Sequence, residues 1–448
     1  MTLSSRREGL TLFFGDILIS VFSLWAALAL RYGGALDRYV WGLHVVPFSI
    51  LILVGTVVFF IAGLYEKHTL ILKSKIPYTV LNAQLANAFI AVLFFYLIPA
   101  SVITPKTNLF SYLIISTGLL VLWRIYGVSY LTGKKGKKTA LIIGSGDEMS
   151  ELSSEINGND RYDIKFVGDI DLSKDGNIDF QRDVVERIYS EGISLVVLDL
   201  SDEKVKPFIP HLYNFIFSKV RFIDIHRLYE EIFDRVPLSL LRYTWFMENL
   251  SSTEKKYYDG AKRVMDMAVS LVLGVITLPF YVFVALAIKI EDGGPVFIVQ
   301  DRVGQNNGIM KLFKFRSMTG SDNGKWHTGP NDIRHTSVGK FLRKSRIDEL
   351  PQLWNVFRGD ISLIGPRPDI YDLGIKLAKE IPYYTVRNIV KPGLSGWAQI
   401  NQDIQPKSVE ETRLRLAYDL YYVKNRSFLL DIKIALRTVK TLLSRGGM

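Results

Sequence analysis

Cysteine is absent from the 448 residues. That excludes disulfides and every Cys-based zinc site. Histidine is scarce, six in all, and none falls in H-E-x-x-H or a similar spacing, which argues against a dedicated transition-metal cage. Charge is missing locally: the first 130 residues carry little of it, while Lys and Arg concentrate further on. The formal net charge of +11 suits an anionic partner such as nucleic acid, anionic lipid or a phosphorylated substrate. A chain of this length accommodates two or three domains.

Four apolar segments fill the charge-poor region, approximately residues 10–30, 41–64, 86–102 and 109–130. Each approaches the ~20 residues a helix needs to cross a ~30 Å hydrocarbon core. The first is too long for a cleavable signal and shows no small-residue cleavage site, so it is expected to persist. A buried bundle in a soluble protein is the alternative. Four such segments in succession favour a four-helix transmembrane bundle over residues 1–132. Cations mark one side of it. Arg6 and Arg7 precede the first segment, Lys67, His68, Lys73 and Lys75 lie between the second and third, and Lys134 to Lys138 follow the fourth. The other two loops hold only Arg31 with Arg38, and Lys106. The positive-inside rule places both ends of the bundle in the cytoplasm, so the chain after residue 134 starts on that side. Asp16, costly in lipid, is expected to face other helices.

After the basic linker comes "KTALIIGSGDEMSELSSEI", a short apolar strand, a glycine turn and a helical pattern. With "IKFVGDIDL", "ISLVVLDL" and "VRFIDI" as further strands, it predicts a Rossmann-like cytoplasmic α/β domain over residues 138–250. The third glycine of a dinucleotide fingerprint would fall at Met149, too large for close backbone approach. A structural or regulatory role is therefore favoured over nucleotide binding.

From Met267 to Ile288 there is again no charge, long enough to span. Yet Lys255, Lys256, Lys262 and Arg263 precede the run, and Lys289, Arg302, Lys311, Lys314 and Arg316 come after it. A crossing would move the second basic group to the far side. Pro279 sits mid-run, where it removes a helical hydrogen bond and permits a sharp kink. A re-entrant membrane helix over 264–290, dipping into one leaflet, fits better than a kinked fifth span.

Beyond it, residues 255–448 form a mainly α (α/β) domain dense in unusual local sequence. "GGPVFIVQDRVG" pairs a glycine turn with a β-like run and Arg302. "KLFKFRSM" alternates basic and apolar residues, so in a strand Lys314 and Arg316 would share a face. "SLIGPRPD" holds Arg367 between two prolines, and "RLRLAYDLYYVKN" puts Arg415 and Asp419 at i, i+4 of a helix. "RKSRIDELPQLWNVFRGD" sets Asp348 and Glu349 among Arg343, Lys344, Arg346 and Arg358. Singly, each is explained by a solvated strand face, a loop salt bridge or a capped helix. Together they describe cations on rigid loops, suited to a multiply charged phosphate. Two adjacent carboxylates there are candidates to hold Mg²⁺ or supply a nucleophile.

The stretches "KRVMD", "GGPVFIVQDRVG", "KFRSM", "IDELPQLWNVFRGDISLIGPRP" and "KPGLSGWAQIN" resemble the bacterial sugar transferase family of monotopic phosphoglycosyl transferases. The whole chain is similar to its polyprenyl-phosphate hexose-1-phosphate transferase subgroup. The resemblance implies transfer of a sugar-1-phosphate from a UDP-sugar to a polyprenyl (undecaprenyl) phosphate in the bacterial inner membrane. UMP is released, and the step initiates assembly of a surface glycan. It implies Asp348 as nucleophile forming a phosphosugar-aspartyl intermediate, Glu349 as its dyad partner, and Mg²⁺ held by the two. Lys314, Arg316 and Arg367 look like phosphate ligands, as does Arg415; Arg302 and Asp419 are accompanying residues. The catalytic domain is expected on the cytoplasmic face of the bilayer, with no nucleic-acid partner; a homodimer is a further expectation. Lying near a helix N-terminus among cations, Asp348 is expected to have a depressed pKa and stay ionised at pH 7.

One departure concerns the re-entrant break. The family commonly has Ser-Pro there, whereas Leu278 precedes Pro279 and Thr277 is the nearest hydroxyl. The C-terminal "SFLLDIKIALRTVKTLL" resembles an interfacial amphipathic helix, with a packed cytoplasmic helix as the alternative. Against the transferase stand a membrane-anchored nucleotide sensor, which leaves the D-E-L-P-Q and G-P-R-P stretches unexplained, and a transporter, which one intramembrane acid does not support.

Overall fold

The computed structural model describes residues 4–34, 37–65, 76–97, 106–127, 137–159, 162, 164–172, 181–200, 202–213, 215, 220–250, 255–319, 335–402 and 406–444. The basic loop at 67–75 and residues 134–136 of the basic linker lie outside these. Helices predominate, beside one four-stranded and two two-stranded sheets.

Helices α1 (Ser4–Arg31), α2 (Arg38–Ile61), α3 (Ile76–Leu97) and α4 (Lys106–Leu122) come first, α4 running on into a π turn at Trp123–Gly127. They pack on one another, α1 on α2 and α4, α3 on α2 and α4. All four are long and apolar enough to cross a membrane. The third begins ten residues earlier than the apolar run at 86 indicates. The polar residues that hide its start turn inward: Gln84 Nε2 donates to Ser116 Oγ at 3.0 Å, and Asn87 Nδ2 donates to Gln84 Oε1 at 3.1 Å. Asp16 does face other helices. It is buried against Arg124 and accepts from the Tyr65 hydroxyl at 2.8 Å, so the acid in the span has a cation and a donor.

Strands β1 (Lys138–Gly144), β2 (Ile164–Asp171), β3 (Leu195–Leu198) and β4 (Arg221–Asp224) form a parallel sheet in the order β2-β1-β3-β4. The central strands read as unbroken apolar runs because both faces are covered. Helices α5 (Asp147–Gly158) and α6 (Ile225–Phe233) cover one face with Leu152, Ile156, Leu228 and Ile232; Val184, Ile188, Leu212 and Phe215 cover the other. Met149 is part of this packing, which explains a large side chain where a dinucleotide fingerprint has glycine.

Helix α7 (Tyr243–Asn249) joins the α/β region to the C-terminal part. Val236, Leu241 and Trp245 share a core with Leu377, Ile381, Leu416 and Leu420. Helix α8 (Lys256–Asp292) then runs for 37 residues with Pro279 inside it. Thr277 Oγ donates to the carbonyls of Leu273 at 2.8 Å and Gly274 at 3.2 Å in the turn before the proline. The middle of α8 is exposed at Leu271, Val272, Val275, Ile276, Leu278 and Phe283, whereas both ends are anchored. Near the first end Lys262 pairs with Asp431 at 2.7 Å; at the other, Glu291 accepts from Ser337 N at 2.6 Å.

The rest is the antiparallel hairpin β5 (Phe297–Val303)–β6 (Ile309–Phe315), helices α9 (Ser337–Ser345) and α10 (Gln352–Arg358), and the parallel pair β7 (Ser362–Ile364)–β8 (Gly393–Ser395). Helix α11 (Tyr371–Glu380) precedes β8; α12 (Val409–Asn425) and α13 (Phe428–Ser444) close the chain.

Candidate active site

Asp348 and Glu349 lie on a single 3-10 turn, Ile347–Glu349, between α9 and α10. Asp348 does not cap α10: Pro351 is the N-cap position, and no side chain bonds the first turn. The capping expectation is therefore replaced by a turn whose entry, Arg346, has positive φ (55°). That turn buries Asp348 and half-buries Glu349 beside β6. Behind it Asn355, fully buried, accepts from Phe313 N at 3.0 Å and donates to Lys311 O at 2.8 Å, locking α10 to the strand that carries Lys314.

The cations divide between the two acids unequally. Glu349 accepts from Arg367 at 2.7 Å and has Lys314 at 3.6 Å and Arg346 at 3.8 Å. Asp348, 8% exposed, makes no hydrogen bond or ion pair among the described residues. Burial pushes Glu349 up, but Arg367 and Lys314 outweigh it and hold the carboxyl far below its usual range. Asp348 goes the other way. Burial, then the charge of Glu349, raise it to about 6 against Lys314, Arg343 and Arg367. The depressed pKa expected from the sequence is thus corrected: burial disfavours the charged carboxyl, and Glu349, which takes the cations, adds its negative field. Burial pulls Lys314 down to about 8, opposed by Glu349 and reinforced by Arg302 and Arg367.

The loop bearing Arg367 is held by backbone interlock. Gly365 N donates to Ser395 O at 2.8 Å and Gly393 N to Pro366 O at 3.0 Å. A Cβ on Gly393 would stand 2.1 Å from Gly365 N, so "SLIGPRPD" and "KPGLSGW" meet only because glycine occupies the contact. Asp266 on α8 secures β7, accepting from Ser362 Oγ at 2.7 Å and Leu363 N at 3.2 Å. Arg302 donates to Pro368 O at 3.3 Å.

Of the residues singled out from the sequence, Lys314 and Arg367 converge on the dyad, and Arg302 supports the loop. Arg316 leaves the shared strand face: β6 ends at Phe315, and Asp292 at the end of α8 draws the guanidinium to 3.0 Å. Arg415 turns to the chain's own groups, Arg367 O at 2.6 Å and Asp369 at 2.9 Å, with Asp419 at 3.7 Å. Asp419 is fully buried against Arg387. Pro279 lies in the exposed middle of α8, away from these groups. The residues missed are Arg387 and Asp369; the first has no local pattern, and the second closes "SLIGPRPD" without a role of its own.

The glycine turn of the α/β region is filled by the chain itself. Gly146 has φ 97°, and Ser239 N donates to Glu148 Oε1 at 2.9 Å across it. At the carboxyl ends of β3 and β4, Asp199, Asp224 and His226 lie close enough to hold a cation. His226 Nε2 faces Leu240 O at 3.0 Å, while Nδ1 stands 3.2 Å from Asp224 and 4.0 Å from Asp199. As an imidazolium it donates from Nε2 to Leu240 O and from Nδ1 toward Asp224, with Asp199 near enough to interact only through its charge. Burial lowers its pKa, but Asp224, Leu240 O and Asp199 together raise it.

A bacterial sugar transferase family model matches residues 257–445. The chain is 41% identical over 192 residues to a UDP-N-acetylgalactosamine-undecaprenyl-phosphate N-acetylgalactosaminephosphotransferase of Aeromonas hydrophila, covering 42% of this chain and 45% of that one. It is 32% identical over 326 residues to an undecaprenyl-phosphate glucose phosphotransferase of Komagataeibacter xylinus, covering 69% and 60%. The match thus spans 45% and 60% of these two relatives' own lengths. A sugar transferase of Bacillus subtilis (strain 168) is 39% identical over 191 residues, 42% of this chain and 89% of its own. The motifs that gather the dyad, Lys314 and Arg367 all lie within the family match, and the chain belongs to the bacterial sugar transferase family.

Proposed function

We propose that the protein transfers a sugar-1-phosphate from a UDP-sugar to undecaprenyl phosphate, initiating assembly of a surface glycan. The observation that carries this is Asp348: a buried carboxylate without a hydrogen-bond partner among the described residues, beside a Glu349 neutralised by Arg367 and Lys314. A carboxylate held by hydrogen-bond donors is a weak nucleophile; one with no protein donor, next to a Glu349 whose cations can offset the charge of a diphosphate, is suited to attack phosphorus.

An Asp348 oxygen attacks the sugar-linked phosphorus, a P–O bond forms, and the P–O bond to the UMP oxygen breaks with its electron pair leaving on UMP. A phosphate oxygen of the lipid then attacks the same phosphorus and displaces Asp348, regenerating the carboxylate. Lys314 and Arg367 offset charge on the diphosphate. Their field also holds Glu349 ionised beside the reacting acid.

The dyad's donors are all oxygen, and Asp348 is unengaged, which fits a hard ion held by one or two carboxylates plus substrate phosphates. Asp348 and Glu349 would hold Mg²⁺. When bound, it supplies Lewis-acid neutralisation of the diphosphate.

The four N-terminal helices are read as a transmembrane bundle, and α8 as re-entrant from the cytoplasmic face of the bacterial inner membrane. Both ends of α8 are tied to the same C-terminal body while its apolar middle is exposed. A crossing helix would carry Glu291 to the opposite side from Lys262. A Cys introduced at Gly293 should resist a labelling reagent confined to the periplasmic side, and labelling there would defeat the re-entrant reading.

The relatives' names carry different sugars, so the test is a panel of UDP-sugars with Mg²⁺ and undecaprenyl phosphate, read as UMP release. Without the lipid acceptor, intact mass spectrometry should find a phosphosugar on the wild type and none on Asp348→Asn. Absence of turnover with every sugar would overturn the proposed activity.

A further inference from the structure

Asp369, Arg387, Arg415 and Asp419 form a second charged cluster that makes no bond to Asp348 or Glu349 among the described residues. Arg387, on the turn Tyr384–Ile389, is 1% exposed. Its Nε donates to Asp419 at 2.9 Å, its Nη1 pairs with Asp369, and its Nη2 lies 2.8 Å from Asp419. Tyr384 donates to Asp369 at 2.7 Å. Two guanidinium groups and two carboxylates are therefore balanced.

One bond in this cluster points outward. Arg387 Nη2 donates to the main-chain oxygen of Arg367 at 2.7 Å, and Arg415 Nη2 donates to the same oxygen at 2.6 Å. A carbonyl oxygen has two lone pairs, so two cationic donors fully occupy it and fix its direction. The residue so fixed is the one whose side chain reaches Glu349 at 2.7 Å. It stands beyond the end of β7, where no sheet bond continues, between Pro366 and Pro368.

We propose that Arg387 is a positioning residue for the transferase, acting through the carbonyl of Arg367 to aim that residue's guanidinium at Glu349 and the substrate diphosphate. This rests on the reaction proposed above. Charge balance alone does not require an arginine here. A lysine neutralises one carboxylate, but its single ammonium does not present the planar fork that meets Asp419, Asp369 and the carbonyl at once.

The test is a double-mutant cycle on the full-length protein in nanodiscs, with UMP release giving kcat and KM for the UDP-sugar, and Tm followed in parallel. Arg387→Lys should lower kcat by about a hundredfold, the scale of a 1 Å misplacement near a reacting centre, with KM changed by less than about threefold. In an Arg367→Ala background the same substitution should cost less than about twofold, because the group it positions is gone. Asp419→Asn, close to isosteric, should repeat the pattern if Arg387→Lys fails to accumulate. Equal factors lost with and without Arg367, or full activity in Arg387→Lys and Asp419→Asn, would overturn the proposal. Wild-type protein that turns over no UDP-sugar would instead refute the transferase reading, and this proposal with it.

Discussion

Asp147-Glu148 and Asp348-Glu349 are the same dipeptide in similar local settings, each in a turn that runs into helical backbone. Their surroundings differ in two ways. Asp147 is exposed and Glu148 half-buried, and Glu148 accepts from Ser239 N; among the described residues neither meets a Lys or Arg. Asp348 and Glu349 are withdrawn from water and approached by Lys314 from a neighbouring strand and Arg367 from a loop eighteen residues on. The pair at 147 anchors the segment leading into the C-terminal part. The pair at 348 holds one ionised and one poised carboxylate. Chemistry here is a property of what the tertiary fold brings to the dipeptide.

The largest effect expected from breaking that contrast is at Asp348, the proposed nucleophile. Asp348→Asn should lose on the order of a thousandfold or more in kcat, the scale seen when a group acting in a covalent unit is removed. Asp147→Asn should leave kcat within about twofold. Measured UMP release with both variants tests the comparison directly, and a residual rate near wild type in Asp348→Asn would refute the assignment.

Next in size is Lys314→Met, which should cost about a hundredfold in kcat/KM, comparable to deleting one charge-stabilising donor. It should also reshape the pH profile. The wild type is expected to be bell-shaped: activity falls as pH drops through about 6, where Asp348 is protonated, and again above about 8, where Lys314 loses its charge. Removing the cation favours neutral Asp348, so the variant's acid limb should move to higher pH while the alkaline limb disappears. An acid limb that moves downward contradicts the field described here.

That Lys314, Arg367 and the Asp348–Glu349 pair belong together is legible because long motifs carry them, and four apolar runs are visible in the hydropathy. What escaped was set by partners distant in sequence. The start of α3 is hidden by its polar residues, of which Gln84 is satisfied by Ser116 on α4 and by the amide nitrogen of Asn87. The elevated pKa of Asp348 comes first from burial and then from the charge of Glu349, and that burial is set by tertiary packing that local sequence does not encode. Arg415 was legible as a cation but not as a ligand of its own chain, and Arg387 had no pattern at all. Burial of an arginine is decided by Asp369 and Asp419, 18 and 32 residues away.

On the α/β side the effects should be small and confined to stability. Glu148→Gln keeps the shape but weakens charge-assisted acceptance from Ser239, so it should cost about 1 kcal/mol or less and leave kcat/KM unchanged.

His226 gives the subtlest signal, and its sign is set by two opposite shifts. Its pKa is raised in the folded protein, so its contribution is complete below the unfolded value near 6.5 and is lost as pH rises through the folded value. Asp224 is lowered, because its bonds with His226 and the backbone amides outweigh burial; its contribution is present above 3.8 and is lost as pH falls through the folded value. Hydrogen exchange at β4 and α6 should therefore show protection fading as pH rises above the mid-6 range, after correction for intrinsic exchange. His226→Gln should flatten that dependence without altering the acid limb of UMP release. A slope that survives the substitution would place the titrating group elsewhere. A shift in the acid limb would instead mean that His226 and Asp348 are electrostatically joined, against the separation drawn here between the α/β region and the dyad.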